Sequence, residues 1–131
     1  MRGLVRVAIL ASVALLASAC GGGGGTGGQG EGGDEAGATV QLVAQDIAFD
    51  TEEITLAAGA EATIELDNQD DGLPHNFAMY EDESAATAIF QGEIVEGPTT
   101  TEYTFTAPDA GTYFFRCDVH PNQMTGTVVV E

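Results

Sequence analysis

From Thr39 onward, apolar residues recur at every second position in short runs. Val40, Leu42 and Ala44 alternate with polar neighbours, as do Ile54 and Leu56, and then Ala62, Ile64 and Leu66 against Thr63, Glu65 and Asp67. A period of two is that of a strand with one face buried. Tyr103 and Phe105 continue the pattern between Thr104 and Thr106, ahead of the turn residues Pro108-Asp109-Ala110-Gly111, and Thr112 to Cys117 and Thr125 to Val130 complete it. His75 to Tyr80 reads as a strand with His75, Phe77 and Met79 on one face, and Ile89-Phe90 and Ile94-Val95 read as edge strands around Gly92. Only Glu81 to Ala88, acidic and then Ala-rich, has the composition of a short helix. About seven to eight short strands with turn signals between them predict an all-β fold, a Greek-key antiparallel β-sandwich over residues 39–131. Asp109-Ala110-Gly111-Thr112-Tyr113 has the form of a tyrosine corner, in which a phenol closes a Greek-key crossing onto nearby backbone.

The chain before that region is of another kind. Met1 to Ala19 carries Arg2 and Arg6, an apolar run from Val7 to Leu16, and then Ala17-Ser18-Ala19. This is the anatomy of an export signal, and its apolar run is too short for a comfortable membrane span. Small residues directly before Cys20 are similar to a bacterial lipoprotein signal, with Cys20 as the lipidated residue; plain secretion is the alternative. Residues 20–38 are the cysteine and a run of mostly glycine that buries nothing, so it is expected to act as a disordered tether reaching roughly 21–25 Å.

Charge and cysteine content narrow the function. With Arg2 and Arg6 removed in the signal, Arg116 alone stands against 21 acids, a mature net charge of −20. Nucleic acid is excluded as a partner, because its phosphates require Lys and Arg. The acidity favours association with a basic docking face; it equally suits a salty habitat. With Cys20 committed to lipid, Cys117 has no partner for a disulfide, and an exported free thiol is expected to be buried, bound to metal, or both.

The candidate chemistry gathers around that thiol. Cys117-Asp118-Val119-His120-Pro121-Asn122-Gln123-Met124 places a thiol, an imidazole and a thioether in one loop, and His75 is the only other histidine. A thiolate, two imidazoles and a thioether suit copper in a trigonal His₂Cys site with a weak axial Met. The run Asp109 to Cys117 followed by His120-Pro121 and Met124, with Pro74-His75-Asn76 upstream, resembles the type 1 blue copper proteins, the cupredoxins of the plastocyanin and amicyanin kind, in a lipid-anchored bacterial form. The resemblance covers Thr39 to Glu131. It implies one copper per chain held by His75, Cys117, His120 and Met124, with Asn76 tying the two ligand segments together by hydrogen bonds. Pro121 stiffens the loop by fixing its own φ. Asp118 follows the cysteine, and a carboxylate near the sulfur would lower the reduction potential. Arg116 alternates away from Cys117 and is expected to pair with a surface carboxylate.

The resulting expectation is an extracytoplasmic electron carrier, not an enzyme. It is a monomer, touches membrane only through its anchor, and meets a cytochrome or oxidase through an apolar rim around His120 formed by Leu73, Pro74 and Pro121. The chain has no histidines for a further copper centre and no second loop cysteine for a binuclear one. The alternative is copper delivery, or an accessory module without a carrier role.

Overall fold

The computed structural model describes residues 37–131. The expected signal 1–19, Cys20 and the tether up to residue 36 lie outside the described residues, while Ala38, the last residue of the expected tether, opens the first strand. Eleven strands follow: β1 (Ala38–Gln45), β2 (Ala48–Phe49), β3 (Glu53–Leu56), β4 (Glu61–Asn68), β5 (Pro74–His75), β6 (Ala78–Tyr80), β7 (Ala88–Gln91), β8 (Val95–Glu96), β9 (Thr99–Thr106), β10 (Gly111–Arg116) and β11 (Thr125–Val130). One sheet has the order β2-β1-β4-β9, the other β3-β11-β10-β6-β7, and β5 pairs with β8 in a short ribbon beside them.

The alternation of the sequence becomes the core. Leu42 and Ala44 from β1 and Ala62, Ile64 and Leu66 from β4 meet Ile54, Leu56, Phe115, Val128 and Val130 from the other sheet, all buried. Their polar neighbours face water, as expected of a sheet covered on one side. Pairing within the sheets is mixed. Hairpin neighbours such as β10 and β11 run antiparallel, but β1 and β4 run parallel, as do β3 and β11. After β1 and its hairpin partner β2, the chain crosses to the opposite sheet as β3 and returns as β4, so β4 re-enters beside β1 in the same direction. The tyrosine corner is present, with the Tyr113 hydroxyl donating to the Asp109 carbonyl at 2.7 Å.

Two expected elements differ. Glu81 to Thr87 forms bends and turns in place of a helix, and Ala88 already opens β7. The Asp82 carboxylate accepts the Ser84 N–H at 2.8 Å, its carbonyl accepts the Ala85 N–H at 3.0 Å, and Ala85 takes a left-handed φ of 53°. Such local bonds compete directly with helix formation. The strand expected over 75–80 is broken at Asn76-Phe77, leaving β5 and β6 as separate pieces. Asn76 turns aside to bond across the molecule, and Gly92 donates to the Phe77 carbonyl at 2.9 Å.

The two ends of the sandwich differ in content. At one end the Gly37 N–H donates to the Glu61 carbonyl, and the Glu131 N–H to that of Leu56, so chain entry and C-terminus lie together. At the other, β1 finishes at the Asp46-Ile47 turn, next to the loop from Asn68 to Leu73 and the candidate ligands.

Candidate metal centre

His75 is fully buried on β5, opposite Val95. The preceding loop is folded by Asn68, whose side-chain amide donates to the carbonyls of Leu73 and Val95, both at 2.9 Å, and whose oxygen accepts the Asp70 N–H at 3.0 Å. That brings Asp70 under the imidazole. Its Oδ2 lies 2.8 Å from His75 Nε2, and the same carboxylate accepts the N–H groups of Asp46 at 2.6 Å and Ile47 at 3.0 Å. The Ile47 N–H leads in holding the Asp70 carboxyl below the usual carboxylate range, with His75 and Asp46 adding to it against the opposing effect of burial. The ring is thereby turned so that Nδ1 lies 3.8 Å from Cys117 Sγ.

Cys117 follows β10, and its loop is closed on itself. The Cys117 N–H donates to the Met124 carbonyl at 2.9 Å, His120 to Cys117 at 3.2 Å, and Met124 to His120 at 3.1 Å. His120 is half-buried, its Nδ1 3.9 Å from Cys117 Sγ and its ring centroid 4.9 Å from that of His75. Burial, and then the neighbouring His75, lowers its pKa, which favours the neutral imidazole that binds metals. Pro121 is half-buried behind it, and Met124 is fully buried in the same core cluster as Cys117.

Bond lengths test whether an ion fits. Metal–sulfur and metal–nitrogen bonds of about 2.3 and 2.0 Å opened to 120° put sulfur and nitrogen roughly 3.7 Å apart. The two S–N separations are 3.8 and 3.9 Å, and one donor atom from each of His75, Cys117 and His120 lies within 4.8 Å of the others. The donor set is therefore spaced to surround one ion.

Around these groups, Asn76 links the two segments. It is 1 % exposed, accepts the Asp118 N–H at 2.8 Å, and donates to the Gly92 carbonyl at 2.9 Å and the Asp118 carboxylate at 3.3 Å. The Asp118 carboxylate also receives the Tyr80 hydroxyl at 2.5 Å, Arg116 Nε at 3.0 Å and Gln91 at 3.4 Å. Burial raises its pKa, but the hydrogen bonds from Tyr80, Arg116 and Asn76 overcome this and leave it lowered. Arg116 pairs with a carboxylate as expected, but not with one on the surface away from the centre: its partner is the half-buried Asp118, next to Cys117. The guanidinium also lies 4.8 Å from the Tyr80 ring centroid.

Nothing in the sequence marks Asp70, Tyr80 or Gln91 as neighbours of the centre. Asp70 stands in Asn68-Gln69-Asp70-Asp71-Gly72, which has the composition of a solvated turn, and no spacing rule separates it from Asp71. Only the fold of the loop does: Asp70 is buried and Asp71 exposed.

Comparison with known proteins agrees with this geometry. The profile of the cupredoxin-like domain family matches residues 6–130. Auracyanin-A of Chloroflexus aurantiacus is 32% identical over 152 aligned positions, covering 95% of this chain and 94% of that protein. The solved structure of auracyanin A, a "blue" copper protein from the green thermophilic photosynthetic bacterium Chloroflexus aurantiacus, superposes with a TM-score of 0.64 at 27% identity, over 72% of this chain and 98% of that one. Amicyanin from Paracoccus versutus gives a TM-score of 0.53 at 31% identity, over 71% and 81% of the two chains.

Proposed function

This chain belongs to the cupredoxin-like domain family, and we propose that it is an extracytoplasmic mononuclear type 1 copper protein that carries single electrons between redox partners. The observation that carries the reading is the near-equal approach of His75 Nδ1 and His120 Nδ1 to Cys117 Sγ, at 3.8 and 3.9 Å. Copper bound there supplies reversible one-electron exchange between Cu(II) and Cu(I). The four ligands in this reading are His75, Cys117, His120 and Met124, one copper per chain. Cys117 would hold the ion through its thiolate and His75 and His120 through their imidazoles, with the Met124 thioether as the weak fourth donor, a set whose chemistry would be one-electron exchange.

The surrounding residues support fast exchange by holding the donors still. The backbone bonds within Cys117–Met124 and the bridge from Asn76 to Asp118 fix both ligand segments before any ion arrives. Pro121 limits the loop further. His120 is the more accessible imidazole and is the route by which electrons leave. Leu73 and Ile94, 36% and 56% exposed, provide apolar surface near the β5–β8 ribbon. Asp118 acts chiefly as a structural hub, since its carboxylate is taken up by four side chains.

The chain is read as exported by Met1 to Ala19 and anchored through lipid on Cys20; among the described residues no helix is long and apolar enough to cross a membrane. Its acidic surface favours a cytochrome or oxidase with a basic docking face, met by a monomer. Adding Cu(II) to the chain without residues 1–19 is expected to give intense visible charge-transfer absorption that a mild reductant bleaches reversibly. Colourless binding of Cu(I) alone, readily lost to a chelator, would assign the protein to copper delivery.

A further inference from the structure

We propose that Asp70 is the positioning residue of the metal centre: through His75 Nε2 it fixes the tautomer and orientation of that imidazole and makes the bound copper harder to reduce. The inference rests on His75 being a copper ligand, and it concerns a residue four positions before Pro74 that no ligand motif contains.

The geometry leaves one assignment of the proton. An ionised carboxylate only accepts hydrogen bonds. Asp70 Oδ2 lies 2.8 Å from His75 Nε2, so Nε2 is the donor and, in the neutral ring, Nδ1 is bare, facing Cys117 Sγ at 3.8 Å. A bare Nδ1 is the form that binds a metal. The ring cannot turn over without breaking this bond at a fully buried imidazole, with an Asp70 side chain that is only 9% exposed. A carboxyl group between a metal-binding imidazole and the protein frame also raises the basicity of the ligand.

Asp70 is itself held from a third part of the chain. Asp46 and Ile47 both adopt φ of 56°, a left-handed conformation that is unusual for any L-residue and especially for a β-branched one. Their two successive N–H groups converge on the Asp70 carboxylate, an arrangement suited to binding an anion. The unfavourable turn is thus coupled to a negative charge that the imidazole needs. Among the described residues, the charged and titratable groups bonded around the carboxylate are His75 alone, so the negative charge is not cancelled by an arginine or lysine. A fixed anion one ring away from the ion favours Cu(II) over Cu(I) by simple attraction.

Asp70→Asn, nearly the same size, and Asp70→Ala test this. In metal-free wild type, ¹⁵N spectra recorded where the imidazoles are neutral should show the His75 proton on Nε2. Asp70→Ala should populate the Nδ1–H tautomer as well. With copper, either variant should lose about ten- to a hundred-fold in affinity and shift to a higher reduction potential. If Asp70→Ala does not fold, Asp70→Asn supplies the potential and affinity. A His75 tautomer unchanged in the metal-free variant, or an unchanged potential in folded Asp70→Asn, would overturn the proposal and leave Asp70 as an anchor for the hairpin turn. Failure of wild type to take up copper would instead overturn the function proposed above, while the metal-free tautomer measurement would still report on Asp70.

Discussion

Replacing Asn76 with alanine should damage the fold as well as the metal centre. Asn76 makes two short bonds, to the Asp118 N–H at 2.8 Å and the Gly92 carbonyl at 2.9 Å, and a longer one to the Asp118 carboxylate at 3.3 Å. Two ordinary hydrogen bonds contribute about 1 kcal/mol each, and stranding a buried acceptor costs about 1–2 kcal/mol more. The Gly92 carbonyl belongs to a buried residue and would be such an acceptor, whereas the Asp118 N–H is half-buried and nearer to water. The expected loss is therefore roughly 3 kcal/mol, a large share of the about 5–15 kcal/mol that a small domain has. In a domain of this size it corresponds to a fall in Tm of roughly 12–24 °C. The measurement is urea unfolding of the metal-free protein followed by circular dichroism, since the chain has no tryptophan to report by fluorescence. Alanine at the exposed Asn122 of the same loop serves as control. A loss below about 0.5 kcal/mol for Asn76→Ala, equal to that of the control, would refute the claim that this amide joins the two ligand segments.

Other outcomes follow from the same structure. Gly126→Ala should cost about 1–3 kcal/mol in the same unfolding assay, because a methyl group there would overlap the buried Phe115 ring and lie 2.7 Å from the Glu52 carbonyl. Burial, with Cys117 and Glu93 adding, pushes Tyr103 from an ordinary 10.0 up to about 12. Its contribution to stability is thus full below pH 10 and lost as the pH rises through about 12, and an ultraviolet titration should show a late tyrosinate step that Tyr103→Phe removes. Chelating the copper should leave the far-ultraviolet dichroism of the sheets unchanged, because the ligands are positioned by protein bonds; loss of the β signal would contradict this. Electron transfer to a small basic cytochrome should slow as salt is raised, given 21 acids against Arg116 alone once residues 1–19 are removed; a salt-independent rate would assign the acidity to solubility alone.

The core was legible because alternation survives translation into structure. Leu42, Ile54, Ile64 and Val128 are inside for the reason their spacing suggests. The candidate ligands were legible for a chemical reason, since two histidines and one loop cysteine leave few other ways to use a soft metal. What escaped depends on contacts between distant segments. The break at Asn76 reflects bonds to Gly92 and Asp118, which no local pattern encodes. The turns within Glu81 to Thr87 arise where Asp82 and Ser84 satisfy backbone groups that a helix would otherwise use. Parallel pairing of β1 with β4 follows from a crossing between sheets, and a strand's own sequence carries no sign of which neighbour it will meet.

The course of β1 has a practical corollary. Eight residues at about 3.3 Å each carry it some 26 Å from the end where Gly37 and the C-terminal Glu131 lie to the turn beneath His75. A protein immobilised on an electrode by its C-terminus would hold its copper on the far side of the sandwich, facing bulk solution. Interfacial current should then be weak, while exchange with dissolved partners stays unobstructed. Wiring the centre directly would need an attachment point built into the opposite rim, for instance at Asn122.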